Sequence, residues 1–224
     1  MKKIIGDPDK INQELISLIK KISINNYYLK NHEDFRDRIL SQIQKSDNVL
    51  DIGMAMRDKH KKIISNLVET LDVNDFGEYP DIICDICSDI TGLENRYDKI
   101  ICIAILEHVY DPSSAIKNLR LLLKDEGIIY GYVPYLYQYH APKNLKFQDY
   151  FRFSKDSLAY LFKDFYQIEL FPFRGRISSS LHMLFGNKWK KYVEKTNLNV
   201  FLDNFISDEI NHKQCSGFYF ILKK

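Results

Sequence analysis

Acidic residues mark the ends of successive apolar runs in this chain. The run Asn48–Ile52 (NVLDI) contains Asp51 and meets Gly53, the run 67–71 (LVETL) is followed by Asp72, and the run 81–86 (DIICDI) carries Asp85. A fourth run, 98–105 (DKIICIAI), leads into Leu106-Glu107-His108-Val109. A buried strand running into a glycine turn is how a nucleotide-type ligand site begins in an α/β protein. An acid about 20 residues further on then accepts hydrogen bonds from ribose hydroxyls. Asp72 stands about 20 residues beyond Asp51 and fits that place. One acid at a strand end could belong to any solvated turn, but four strand ends in order, three of them acidic, form a constellation.

The elements that must position these groups follow from apolar spacing. Ile11, Leu15, Leu18, Ile19 and Ile22 recur at helical intervals and predict a helix over 10–24; Phe35, Ile39, Leu40 and Ile43 predict another over 32–45. Beyond them the period shortens. Strands are expected at 48–52, 67–71, 81–86, 98–105, 127–133, 165–171 and 216–222. Helices are expected between them: 112–124, with Pro112 in its first turn and Gly127 as its stop, and 154–165, capped by Ser154 or Asp156. Strands alternating with helices imply a mostly parallel sheet covered on both faces, with a ligand crevice at the carboxyl ends of the strands.

Composition narrows the class. The chain has 224 residues, 45% hydrophobic and 28% charged, as suits one globular domain with its own core. A net charge of +2 provides no basic stripe for nucleic acid. No segment approaches the roughly 18 apolar residues of a membrane span. Gly6-Asp7-Pro8-Asp9 interrupts the apolar start too early for a signal peptide, so the expected compartment is the cytoplasm. Cys84-Asp-Ile-Cys87 has the C-x-x-C spacing but no second pair at zinc distance, so buried thiols and no metal are expected.

Residues 48–160 resemble a class I S-adenosylmethionine-dependent methyltransferase. "VLDIG" is similar to the first motif of that family. "PDIICDI", "RYDKIICIAILEHVYDP" and "AIKNLRLLLKDEGIIYGYVP" are similar to its middle and late motifs in order and spacing. The resemblance implies a Rossmann-like α/β sheet, mostly parallel with the last strand antiparallel. The chain as a whole is read as one domain, with N-terminal helices over 1–46, a cofactor-binding core over 47–171, a helical insertion over 172–213 and a last strand over 214–224. Carried over position by position, the resemblance implies that Asp51 and Gly53 flank the methionine part of S-adenosylmethionine. Asp72 would bind the ribose, Asp85 with Ile86 the adenine, and backbone at Ile103 and Ala104 the cofactor amine.

The opening motif departs from the family pattern, which is roughly acid-x-Gly-x-Gly-x-Gly. Ala55 and Arg57 occupy the later glycine positions. Arginine does not adopt positive φ cheaply, so the turn is expected to differ in shape. The sulfonium is already activated, so transfer needs alignment of acceptor and methyl, and a hydroxyl acceptor also needs a base. His140, in the long loop 134–153, is the candidate base, because histidine titrates near neutral pH. Asp149 and Arg152 would orient it or bind an anionic acceptor, and Tyr135, Tyr137 and Tyr139 alternate like an aromatic wall.

"HAPKNLKFQDYFRFS" resembles a subgroup found among sugar and surface-polysaccharide modification enzymes. The expected acceptor is therefore a small molecule: a sugar, a sugar-nucleotide or a phosphorylated precursor. A homodimer stays open as a partner. Two other readings stand beside this one: a binding subunit that has lost catalysis, and a methyltransferase of a quinone or lipid-like acceptor.

Overall fold

The computed structural model describes residues 8–24, 31–141, 143–186, 201, 203 and 213–224. Its elements in chain order are α1 (Pro8–Lys20), β1 (Ile22–Ile24), α2 (His32–Gln42), β2 (Asn48–Ile52), β3 (Leu67–Asp72), β4 (Ile82–Ile83), β5 (Tyr97–Ile103), α3 (Pro112–Leu122), β6 (Leu123–Pro134), α4 (Lys155–Leu161), β7 (Gln167–Phe173), α5 (Arg176–Phe185) and β8 (Gly217–Lys223). Two short 3-10 turns, Arg57–Lys62 and Leu106–His108, follow β2 and β5.

The eight strands form one sheet in the order β1-β7-β8-β6-β5-β2-β3-β4. All neighbours pair in parallel except β8, which runs antiparallel to both β6 and β7. The mostly parallel sheet with an antiparallel last strand is as expected. Alternate side chains explain its two covered faces. Leu50, Ile52, Ile100, Cys102, Ile129 and Phe220 point into one core cluster with α3 and α4. Val49, Ile101, Ile103, Tyr130, Tyr132 and Tyr219 point into the other, against Phe35 and Ile39 of α2.

Helix starts follow side-chain caps. Asn31 accepts from the Asp34 N–H, Asp111 from the Ser113 and Ser114 N–H groups with Pro112 next, and Ser154 rather than Asp156 from the Ser157 N–H.

Four boundaries differ from the sequence reading. The helix expected over 10–24 stops at Lys20, and Ile22–Ile24 becomes β1, an edge strand on β7. The third strand is only two residues long, so Asp85 lies in the turn after it. β6 begins at Leu123 instead of Gly127: Leu123 pairs with Tyr97 and Ile128 with Lys99, so residues 124–127 bulge out, with Glu126 at positive φ. In the segment 172–213, β7 extends to Phe173 and α5 is helical as expected. Residues 187–200, 202 and 204–212 lie outside the described residues. Among the described residues, no helix is long and apolar enough to cross a membrane.

Candidate active site

The chain fills β3 and β4 to one side of β2, then returns to place β5 on the other side. That reversal opens a crevice at the carboxyl ends of the strands, the usual ligand site of an open α/β sheet. The cavity found there measures about 1040 Å³. Gly53, Asp72, Asp85, Ile86, Ile103, Ala104 and His140 line it, so seven of the ten expected site residues meet in one cavity. Asp51, Asp149 and Arg152 stand behind its lining.

The turn after β2 keeps a left-handed backbone without the missing glycines. Gly53 has φ +63°, and a Cβ there would come within 2.5 Å of the Ile105 side chain. Met54 (φ 46°) and Arg57 (φ 51°) also adopt positive φ. Arg57 thus takes up the positive φ that arginine reaches only at a cost. Left-handed backbone costs about 1–2 kcal/mol per non-glycine residue, so the surroundings must hold it. They do so from two sides. Arg36 of α2 donates from Nε to the Ala55 carbonyl at 2.9 Å, both groups being buried. Asp51, fully buried, accepts from the Met56 N–H at 3.3 Å and meets His60 Nδ1 at 2.8 Å. Asp51 therefore braces the turn from beneath; it does not line the cavity. Ala104 (φ 57°), at the end of β5, adds a third strained residue in the same cavity. Clustered strain of this kind belongs to ligand sites.

His60 and Arg36 carry no motif, and only the fold shows their task. Burial pushes the Asp51 carboxyl up, while His60 and the Met56 N–H pull it back; Asp51 in turn raises His60. His60→Ala is expected to lower stability at pH 6 by about 2 kcal/mol, as a charged hydrogen-bond partner is lost. A raised histidine stabilises fully below its unfolded value and stops doing so as pH climbs through the folded value. The wild-type advantage in urea unfolding should therefore shrink above pH ~7. An advantage that stays constant to pH 9 would make His60 a neutral hydrogen-bond partner.

Asp72 ends β3 with both oxygens engaged. One accepts from the Asn74 N–H (2.8 Å) and Nδ2 (3.1 Å), the other from the Tyr79 hydroxyl (3.2 Å). Burial and Asp72 together push the Tyr79 phenol up, so it stays a donor. Asp85 accepts from the Cys87 N–H at 2.9 Å, which turns the chain toward the cavity beside the buried Ile86. At Ile103 and Ala104, the Ala104 N–H already donates to the Tyr132 carbonyl. The Cys84 and Cys87 thiols donate to different carbonyls, those of Asp85 and Asp111.

The far corner of the cavity is built by the 3-10 turn after β5 and the loop 134–153. Tyr150 and Phe151 donate their N–H groups to the Glu107 carbonyl and tie the loop to that turn. Arg152 donates to the Tyr137 and Gln138 carbonyls and pairs with Asp149. Burial would raise Asp149, but Arg152 and the His140 N–H hold it down to about 2. That fork is thus spent on the loop, and Asp149 and Arg152 orient His140 instead of meeting an acceptor. The His140 ring lies with Nε2 3.6 Å from Glu107, which holds the imidazole above its ordinary value against burial. Of the three alternating tyrosines, Tyr137 lines the cavity, Tyr135 packs near Phe218 and Tyr139 is exposed. The sequence put Glu107 and His108 at the end of the fourth run but did not join them to His140.

Neither a family model nor a curated protein matches the chain. Solved structures do. A SAM-dependent methyltransferase from Archaeoglobus fulgidus superposes with a TM-score of 0.55 at 13% identity, over 87% of this chain and 95% of that one. The fold is that of the class I methyltransferases. A phosphoethanolamine N-methyltransferase 2 of Haemonchus contortus, in complex with phosphomonomethylethanolamine and S-adenosylhomocysteine, gives a TM-score of 0.54 at 12% identity, over 100% of this chain and 61% of that one. The same enzyme with S-adenosyl-L-methionine gives 0.53 at 12% identity, over 99% of this chain and 60% of that one. The chain thus spans about three-fifths of the Haemonchus protein's length.

Proposed function

We propose that this chain binds S-adenosylmethionine in the cavity at the switch point and transfers its methyl group to a small-molecule acceptor. The observation that carries this reading is the meeting of Asp72 and Asp85 in one cavity, at the ends of β3 and β4, within a class I methyltransferase fold. Asp72 would receive the ribose hydroxyls and Asp85 with Ile86 the adenine. Gly53 and the backbone at Ile103 and Ala104 would approach the methionine part. The cofactor brings an activated methyl; the chain positions it and activates the acceptor at the Glu107–His108–His140 corner. Asp51, Arg36 and His60 act on the cofactor through the turn they brace.

The acceptor we propose is a hydroxyl of a polar small molecule, such as a sugar, a sugar-nucleotide or a phosphorylated precursor. The resemblance of the 140–154 segment to sugar-modifying enzymes supports it. So does the cavity lining that the loop 134–153 supplies, where Tyr137 and His140 offer polar groups that a quinone or lipid would not use. Arg57 and the missing glycines favour the reading as a degenerate binding subunit, while Asp72, Asp85 and His140 on the cavity favour catalysis. Thermal unfolding with S-adenosylmethionine and S-adenosylhomocysteine tests the assignment. Both should raise the transition temperature, and a protein indifferent to both at millimolar concentration would not be a methyltransferase of this kind.

A further inference from the structure

Glu107 is fully buried, lines the cavity, and among the described residues has no hydrogen-bond partner on either carboxylate oxygen. His140 Nε2 lies 3.6 Å and His108 Nε2 3.9 Å from its Oε1. The other nitrogen of each ring is already engaged. His108 Nδ1 is 2.7 Å from the Gln148 carbonyl, and His140 Nδ1 is 3.2 Å from both the Gln138 carbonyl and Asp149. Carbonyls and carboxylates only accept, so Nδ1 carries the proton in each neutral ring and Nε2 presents a lone pair. With both rings neutral, two nitrogen lone pairs and one carboxylate face each other, an arrangement that a proton or a cation must bridge. A single general base would need one lone pair; here three electron-pair donors converge.

We propose that Glu107, His108 and His140 bind one divalent transition-metal ion, with its remaining positions open to the cavity. Among the described residues, these three have ligand atoms that all lie within 4.8 Å of one another. Metal–nitrogen and metal–oxygen bonds of about 2.0–2.2 Å place tetrahedral ligand atoms roughly 3.4 Å apart, so the observed spacing closes with small side-chain shifts. Two imidazoles and one carboxylate are a borderline ligand set suited to zinc, cobalt or iron(II). Nδ1–H groups held by a carbonyl or carboxylate are the usual outer support of ligating histidines.

The role of the ion, though not its binding, rests on the methyl-transfer reading. An acceptor hydroxyl on an open position becomes more acidic and loses its proton to solvent water. Its oxygen lone pair then attacks the methyl carbon while the carbon–sulfur pair returns to sulfur. The products are a methyl ether and a thioether. His140 serves in that scheme as a ligand, and the base expected from the sequence is not required.

The test is titration of the chelator-treated full chain with Co²⁺, followed by its visible absorption, beside calorimetry with S-adenosylhomocysteine. One equivalent of Co²⁺ should bind with ligand-field bands of nitrogen and oxygen coordination. Glu107→Gln and His108→Gln should each weaken it more than tenfold while S-adenosylhomocysteine binding persists, which shows that they fold. Cys87→Ser should change nothing. Absence of stoichiometric uptake by the wild type, or uptake that both corner variants retain, overturns the site. Cobalt uptake without cofactor binding would keep the site and refute the methyl-transfer reading instead.

Discussion

His140→Ala is expected to lower methyl-transfer turnover by roughly 10²–10⁴-fold, the range for losing a group that activates a nucleophile. Cofactor affinity should barely change, because the His140 ring packs on Glu107 and His108, the corner assigned to the acceptor. Single-turnover rates at saturating cofactor are the measurement. A variant with wild-type turnover would make His140 a structural residue of its loop. One that loses cofactor affinity to the same degree would move it to the cofactor side. Substitution of Asp149 should be milder but in the same direction, since Asp149 acts through the His140 backbone N–H and ring.

The second large effect belongs to the cofactor acids. Asp72→Ala and Asp85→Ala should each weaken S-adenosylhomocysteine binding by about ten- to a hundredfold, the worth of one hydrogen bond to a charged group. The two differ in what else they hold. Asp72 also fixes Asn74 and Tyr79, so its loss should lower stability as well as affinity. Asp85 accepts one turn hydrogen bond, from Cys87, so its loss should read more purely as affinity. Calorimetry finding wild-type affinity in both variants would remove the assignment.

Legibility followed the range of the interactions involved. Long apolar runs such as DKIICIAI and GIIYGYV announced β5 and β6, because a strand buried on both faces must be apolar throughout. β1 was hidden: Ile22 continues the helical spacing of Leu15, Leu18 and Ile19, and only pairing with β7, far along the chain, makes it a strand. The start of β6 was hidden because LLLK extends the periodicity of α3, while pairing with Tyr97 draws Leu123 into the sheet.

Asp72 and Asp85 were legible because they sit just beyond strand runs. Arg57 showed only its local φ preference, whereas the supports of its turn, Arg36, Asp51 and His60, appear only in the fold. The corner of Glu107, His108 and His140 could not be read from spacing, since the third member comes from a loop placed by Arg152, Asp149 and the Glu107 carbonyl.

The central claim is one cavity with two ends, the cofactor held by Asp72 and Asp85 and its methyl aimed at the Glu107–His108–His140 corner. A crystal structure of the full chain with S-adenosylhomocysteine tests it most directly. The account predicts ribose oxygens within about 3 Å of the Asp72 carboxylate, adenine beside Asp85 and Ile86, and sulfur facing the corner. A ligand bound with its sulfur turned away from that corner, or lodged outside this cavity, would contradict it.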